Sequence, residues 1–194
     1  MSLFCIKQGV KDKMSQKENV PLVGILMGSD SDLSVMEEAF KALDAFEVSY
    51  EVRILSAHRS PEATSAYAQS AADRGIRVLI AGAGWAAHLA GVLAADTVLP
   101  VIGVPIDSSP LQGMDSLLAT VQMPPGIPVA TMAIGKGGAR NAALFAVQIL
   151  ALQDPALADK LRAQKRKMAD EVVFDKNRKL EEFLAARKPG TMGR

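Results

Sequence analysis

Five short apolar runs separated by helix-like patterns constrain this chain more than any other feature. The runs are Leu22–Met27, Tyr50–Leu55, Arg77–Ala81, Val101–Val104 and Val129–Ile134. Several are nearly unbroken Val, Ile and Leu, as expected for strands covered on both faces. Between and after them, residues spaced for amphipathic helices occupy Leu33–Ala45, Pro61–Asp73, Ala86–Ala94, Asp115–Val121 and Gly138–Leu152. This alternation predicts an α/β fold, with one parallel sheet between helix layers. Residues 20–154 form the predicted α/β unit. Beyond Asp154-Pro155, Leu157, Leu161, Met168 and Val172 share one face of a long charged helix over residues 155–187. Such a helix protruding from a compact sheet predicts packing on a neighbouring subunit. Residues 1–19 and 188–194 show no period and read as tails.

Composition narrows the function classes. The chain is 49% hydrophobic and 22% charged, which is globular rather than disordered composition. A net charge of +1 creates no field for nucleic acid, and 5% aromatic residues leave little for base stacking. The basic run Lys165-Arg166-Lys167 is followed at once by Asp170 and Glu171, which favours a solvated helix face over a polyanion site. Cys5 is the one cysteine, so no disulfide framework or Cys-based metal site is expected. No run is long enough to span a membrane, and no signal-peptide pattern precedes the first strand. A soluble cytoplasmic protein is the expectation.

In open α/β sheets, ligands bind beyond the carboxyl ends of the strands. Here those ends read MGSDSD, ILSAHRSP, AGAGWAAH, GVPIDSSP and AIGKGGARN, all small, polar or glycine-rich. Both histidines of the chain, His58 and His88, fall among them. In the first, Ser29, Ser31 and Asp32 either seat a phosphorylated ligand at a helix start or merely supply a cap through Ser31 or Asp30. In the second, Pro61 opens a helix, so Ser56-Ala57-His58-Arg59-Ser60 forms the loop before it. That loop offers a proton carrier and an anion-binding guanidinium, or else a plain surface turn. Gly82-Ala83-Gly84-Trp85-Ala86-Ala87 matches the relaxed dinucleotide fingerprint G-x-G-x-x-A, with Asp107 as the acid expected to bind ribose. Close packing of strand on helix explains it equally, and His88 then reads as a structural hydrogen-bonder. AIGKGGARN has the wrong order for a P-loop; Gly137 and Gly138 there suit a tight approach of turn to helix.

Taken in order, GSDSD, SAHRSP, AGAGxAAHL and VQMPPGIPVATMAIGKGGARNAAL resemble the class I N5-carboxyaminoimidazole ribonucleotide mutases of purine biosynthesis. The resemblance spans roughly residues 21 to 172. It implies a flavodoxin-like three-layer α/β/α sandwich and a homo-octamer with active sites at subunit contacts. It also implies an isomerase that moves a carboxylate from the exocyclic nitrogen to C4 of the imidazole, without metal, ATP or organic cofactor. By the same resemblance His58 is catalytic, and Ser29, Ser31 and Asp32 grip phosphate and ribose. Arg59 binds substrate, with Ser56 and Ala57 lining its loop, and Ala83, Gly84, His88 and Leu89 surround the migrating carboxylate. The related carboxylases that use CO2 directly lack the AAHL histidine and carry lysine where Arg59 stands, so His88 and Arg59 together point to the mutase.

Two residues depart from that family pattern. Trp85 replaces a usual glycine and Ala90 a usual proline; the expectation is that the indole turns outward and activity survives. The competing functions are a non-catalytic nucleotide-binding paralogue and a dinucleotide-dependent oxidoreductase.

Overall fold

The computed structural model describes residues 20–187; the two predicted tails lie outside them. Strands β1 (Val23–Met27), β2 (Tyr50–Ile54), β3 (Val78–Ala83), β4 (Val101–Pro105) and β5 (Ala130–Thr131) form one sheet in the order β2-β1-β3-β4-β5. Every neighbouring pair is parallel, with Val23 opposite both Tyr50 and Val78. This is the flavodoxin-like order, whose switch point lies between β1 and β3.

Side-chain alternation along each strand assigns the two helix layers. Val23, Ile25 and Met27 pack with Val78, Ile80, Ile102 and Val104 against α1 (Leu33–Ala45) and α5 (Lys136–Ala151). Leu26, Leu79, Ala81 and Val101 pack instead with α2 (Pro61–Ala71) and α3 (Leu89–Asp96). Helix α4 (Met114–Val121) covers the same side farther out, where Thr120 approaches Gly103 of β4. Residues of β1 and β4 are buried throughout, which accounts for their unbroken apolar character. Each fully buried Ile or Leu contributes on the order of 1.5–3 kcal/mol. Strand β2 is more exposed because it lies at the sheet edge.

Several boundaries differ from the sequence reading. The run Val129–Ile134 contains only a two-residue strand, although Met132 N–H still donates to the Gly103 carbonyl at 2.9 Å. The helix expected from Ala86 begins at Leu89, because the His88 N–H turns back to the Ala86 carbonyl at 2.8 Å.

The C-terminal helix is also not continuous. Helix α6 (Pro155–Asp170) is capped by Asp154, which accepts from the N–H groups of Ala156 and Leu157 at 2.9 and 3.2 Å. A π-helical segment, Glu171–Lys176, joins it to α7 (Asn177–Ala185). Leu157 is buried against the body, and Lys160 pairs with Glu47 at 2.6 Å. From Met168 outward the apolar side chains are exposed. Between Val172 and Leu180 a straight α-helix would rotate the stripe by roughly 80°. The wider turns of the π segment reduce that rotation.

Helix α5 enters against the preceding loop so closely that a Cβ on Gly138 would overlap the Ala133 carbonyl, whereas Gly137 faces open space. Gly138→Ala is therefore expected to destabilise the protein by about 1–3 kcal/mol. Gly137→Ala is expected to be neutral or stabilising by up to about 1 kcal/mol, both read by urea denaturation.

Candidate active site

The carboxyl ends of β1, β2, β3 and β4 open on one cavity of about 530 Å³. It is lined by Ser29, Ser31, Asp32, Ser56, Ala57, His58, Arg59, Ala83, Gly84, His88 and Leu89, so all the site residues expected from the sequence meet there. Gly28, Trp85, Ala86 and Ser108 complete the lining. Ser108 was missed as an individual residue, although its segment GVPIDSSP stood among the strand ends. Its hydroxyl occupies the space that a Cβ on Gly84 would fill, and this close approach explains the glycine.

Each side chain is aimed by its own local structure. After β1, Ser29 caps a 3-10 turn, Asp30–Asp32, by accepting from the Ser31 N–H at 3.3 Å. Neither Ser31 nor Asp30 caps α1: a tight turn capped by Ser29 comes first, and Asp32 then stands at the cap position of α1 without a side-chain cap bond. After β2, the Ser60 hydroxyl donates to the Ser56 carbonyl at 3.1 Å and accepts from the Ser56 N–H at 3.0 Å. The Ser56 hydroxyl accepts from the Arg59 N–H at 3.2 Å. These bonds close the loop that presents His58 and Arg59, and Pro61 then starts α2. Arg59 Nη2 donates to the Gly28 carbonyl at 2.6 Å, tying the second loop to the first.

His58 Nε2 lies 2.8 Å from His88 Nδ1, with the rings edge to face and their centroids 4.9 Å apart. At this distance one ring nitrogen donates and the other accepts, in roles set by the tautomers. His88 occupies the cap position of α3, whose first N–H groups have no partner within the helix and favour negative charge. Ala90 stands in that first turn, where proline and alanine both fit because no intrahelical N–H donor is needed. Trp85 lines the cavity yet is 59% exposed, so its indole stands at the mouth and does not fill the site. Its φ of 54° lies in the left-handed region, the conformation that makes glycine the usual occupant of such a position.

The dinucleotide reading fails on geometry. Gly82 and Ala83 are still part of β3, and α3 starts only at Leu89, so no glycine turn runs directly from strand into helix. Among the described residues no three His, Cys, Asp or Glu side chains are grouped to hold a metal ion.

Asp32 is almost wholly buried. Burial pushes its carboxyl up from the ordinary value of 3.8, opposed by hydrogen bonds from Ser29, Gly28 and Ser31 and by the nearby Arg59 charge. The folded state therefore holds the Asp32 proton more readily than the unfolded chain. The carboxylate's destabilising effect is present at neutral pH and disappears as pH falls through the raised value to below 3.8. Asp32→Asn is accordingly expected to raise the unfolding midpoint at pH 7, with the gain vanishing near pH 3 to 4 in urea titrations across pH.

Comparison with known proteins identifies the family. The family model described as AIR carboxylase matches residues 22–171. The N5-carboxyaminoimidazole ribonucleotide mutase of Pyrococcus abyssi is 59% identical over 152 residues, covering 78% of this chain and 86% of that protein. The Bacillus subtilis protein of the same name is 54% identical over 160 residues, covering 82% and 98%. The crystal structure of Treponema denticola PurE superposes with a TM-score of 0.73 at 31% identity, covering 81% of this chain and 98% of that one. The chain belongs to the AIR carboxylase family.

Proposed function

We propose that this protein is a cytoplasmic isomerase of purine biosynthesis that converts N5-carboxyaminoimidazole ribonucleotide to its C4-carboxylated isomer. The observation that carries this reading is the 2.8 Å contact of His58 with His88 inside a cavity that also holds Arg59 and Asp32 and is otherwise lined mostly by glycine, alanine and serine.

The reaction needs a proton delivered and a proton removed. As the carbamate C–N bond breaks, its electron pair stays on the exocyclic nitrogen, and His58 protonates that nitrogen. The products of this half are CO2 and an aminoimidazole, an enamine-like nucleophile. C4 then attacks CO2, forming the new C–C bond. His58 takes the C4 proton, which restores the aromatic ring and the starting protonation of the imidazole. An imidazole suits both directions near neutral pH. His88, in contact with His58, orients it and shares its proton. The start of α3 at Leu89, with Ala83 and Gly84 leaving room, supplies main-chain donors for the migrating carboxylate. Arg59 and the Ser29–Asp32 turn, joined through the Gly28 carbonyl, bind the phosphate and ribose.

The assembly is read as a homo-octamer. Two exposed apolar surfaces support association between copies: Leu111, Met114, Leu118 and Val121 beside α4, and the outer stripe of α6 and α7. The start of α6 stays on its own body through Leu157 and Lys160, and the helical extension from Met168 outward then packs on a neighbouring subunit.

The test is to supply the N5-carboxylated nucleotide without ATP or added bicarbonate. C4-carboxylated product should form, and the active species should have the mass of eight chains by light scattering. His58→Asn should reduce kcat by roughly 100-fold or more while nucleotide still binds by calorimetry. A wild-type protein that binds the nucleotide without turnover would instead support the non-catalytic paralogue.

A further inference from the structure

The structure leaves Trp85 without a packing explanation. It is the only tryptophan of the chain, and it sits 59% exposed, so it does not serve the hydrophobic core. Its left-handed backbone is costly for a bulky residue. Among the described residues two other non-glycine residues share positive φ, Glu47 and Gln112, and neither lines the cavity. Backbone strain retained at a cavity mouth is a reason to look for a role there.

The loop that carries the indole is held on both sides. Gly84 is seated against the Ser108 side chain and the Ile106 carbonyl, and the His88 N–H closes a turn on the Ala86 carbonyl. Trp85 therefore has little freedom to swing as a unit with its neighbours. Apart from the polar groups and Leu89, the lining is small: Gly28, Ala57, Ala83, Gly84, Ala86 and Ser108 among others. The indole is the largest apolar group at an otherwise open rim.

We infer that Trp85 is a retaining wall that lowers the escape of CO2 between breakage of the C–N bond and formation of the C–C bond. This inference rests on the reading under Proposed function. The released gas is small, neutral and weakly held by hydrogen bonds, so its fate is decided by competition between recapture at C4 and diffusion out of the mouth. An apolar plate at the rim reduces the open cross-section and excludes water from the aminoimidazole ring. It accomplishes this without touching the proton-transfer steps, which belong to His58. The bond changes are those already given; Trp85 alters only the ratio of recapture to loss.

The experiment uses the full chain, with unlabelled N5-carboxylated nucleotide and isotopically labelled bicarbonate kept in equilibrium with CO2 by carbonic anhydrase. Label entering the C4 carboxylate, and free aminoimidazole ribonucleotide released per turnover, are measured at early time and corrected for the reaction without protein. Wild type should incorporate little label. Trp85→Gly and Trp85→Ala should each raise label incorporation and aminoimidazole release about three- to tenfold, while Trp85→Phe stays near wild type. Glycine is compatible with the local backbone, so Trp85→Gly keeps the test open if Trp85→Ala folds poorly. Equal labelling by wild type, Trp85→Gly and Trp85→Phe, all active, overturns the role of Trp85 and leaves the mutase reading intact. A change in oligomer mass with unaltered labelling overturns it as well, assigning the indole to a subunit contact. A wild-type protein that makes no product contradicts the mutase reading and this inference with it.

Discussion

β1 is hydrogen-bonded in parallel register on both sides, to β2 in one direction and to β3 in the other. The connections leaving β1 and β3 run to opposite faces of the sheet, α1 on one and α3 on the other, and a crevice opens between them. Everything in the candidate site depends on this divergence. The turn after β1, the loop after β2 and the loop after β3 are distant in sequence, yet the register of the strands brings their ends level. Arg59 can then reach the Gly28 carbonyl, and His58 can reach His88 across thirty residues of chain.

The site consists of short-range devices resting on that frame. Three hydroxyls, those of Ser29, Ser56 and Ser60, bond to nearby main chain and hold the loops that present the functional groups. Gly84 gives way to Ser108, so the third and fourth strand ends close against each other. The outcome is a cavity in which two imidazoles, one guanidinium and one buried carboxylate share a small volume, with main-chain donors at the start of α3. The buried Asp32 carboxylate is disfavoured in its charged form by its surroundings.

Much of this was legible in the sequence because its determinants are local. Apolar runs of strand length, separated by helical periods, specify a parallel sheet almost by themselves, and Pro61 and Asp154 mark helix starts correctly. Four of the five strand ends picked out by one topological rule line the cavity; the fifth, AIGKGGARN, does not, because it enters α5 away from the crevice. What was not legible depends on geometry that composition does not encode. The late start of α3 reflects a single turn between Ala86 and His88, in a stretch of alanines that reads as helix. The π segment at Glu171–Lys176 is invisible to a search for helical period, since nothing in EVVFDK marks a wider turn. Ser108 escaped notice because its importance is an approach to Gly84, a tertiary contact. Gly138 was anticipated and Gly137 was not distinguished from it, since only the fold shows which faces the Ala133 carbonyl.

The central claim is that His58 and His88 act as one proton-handling unit. A double-mutant cycle measures this directly: kcat/KM for wild type, His58→Asn, His88→Asn and the double variant, each checked for folding. If the pair works as a unit, the double variant should be little worse than the more damaged single variant. Losses that multiply, so that the two substitutions act independently on the reaction, would contradict the account.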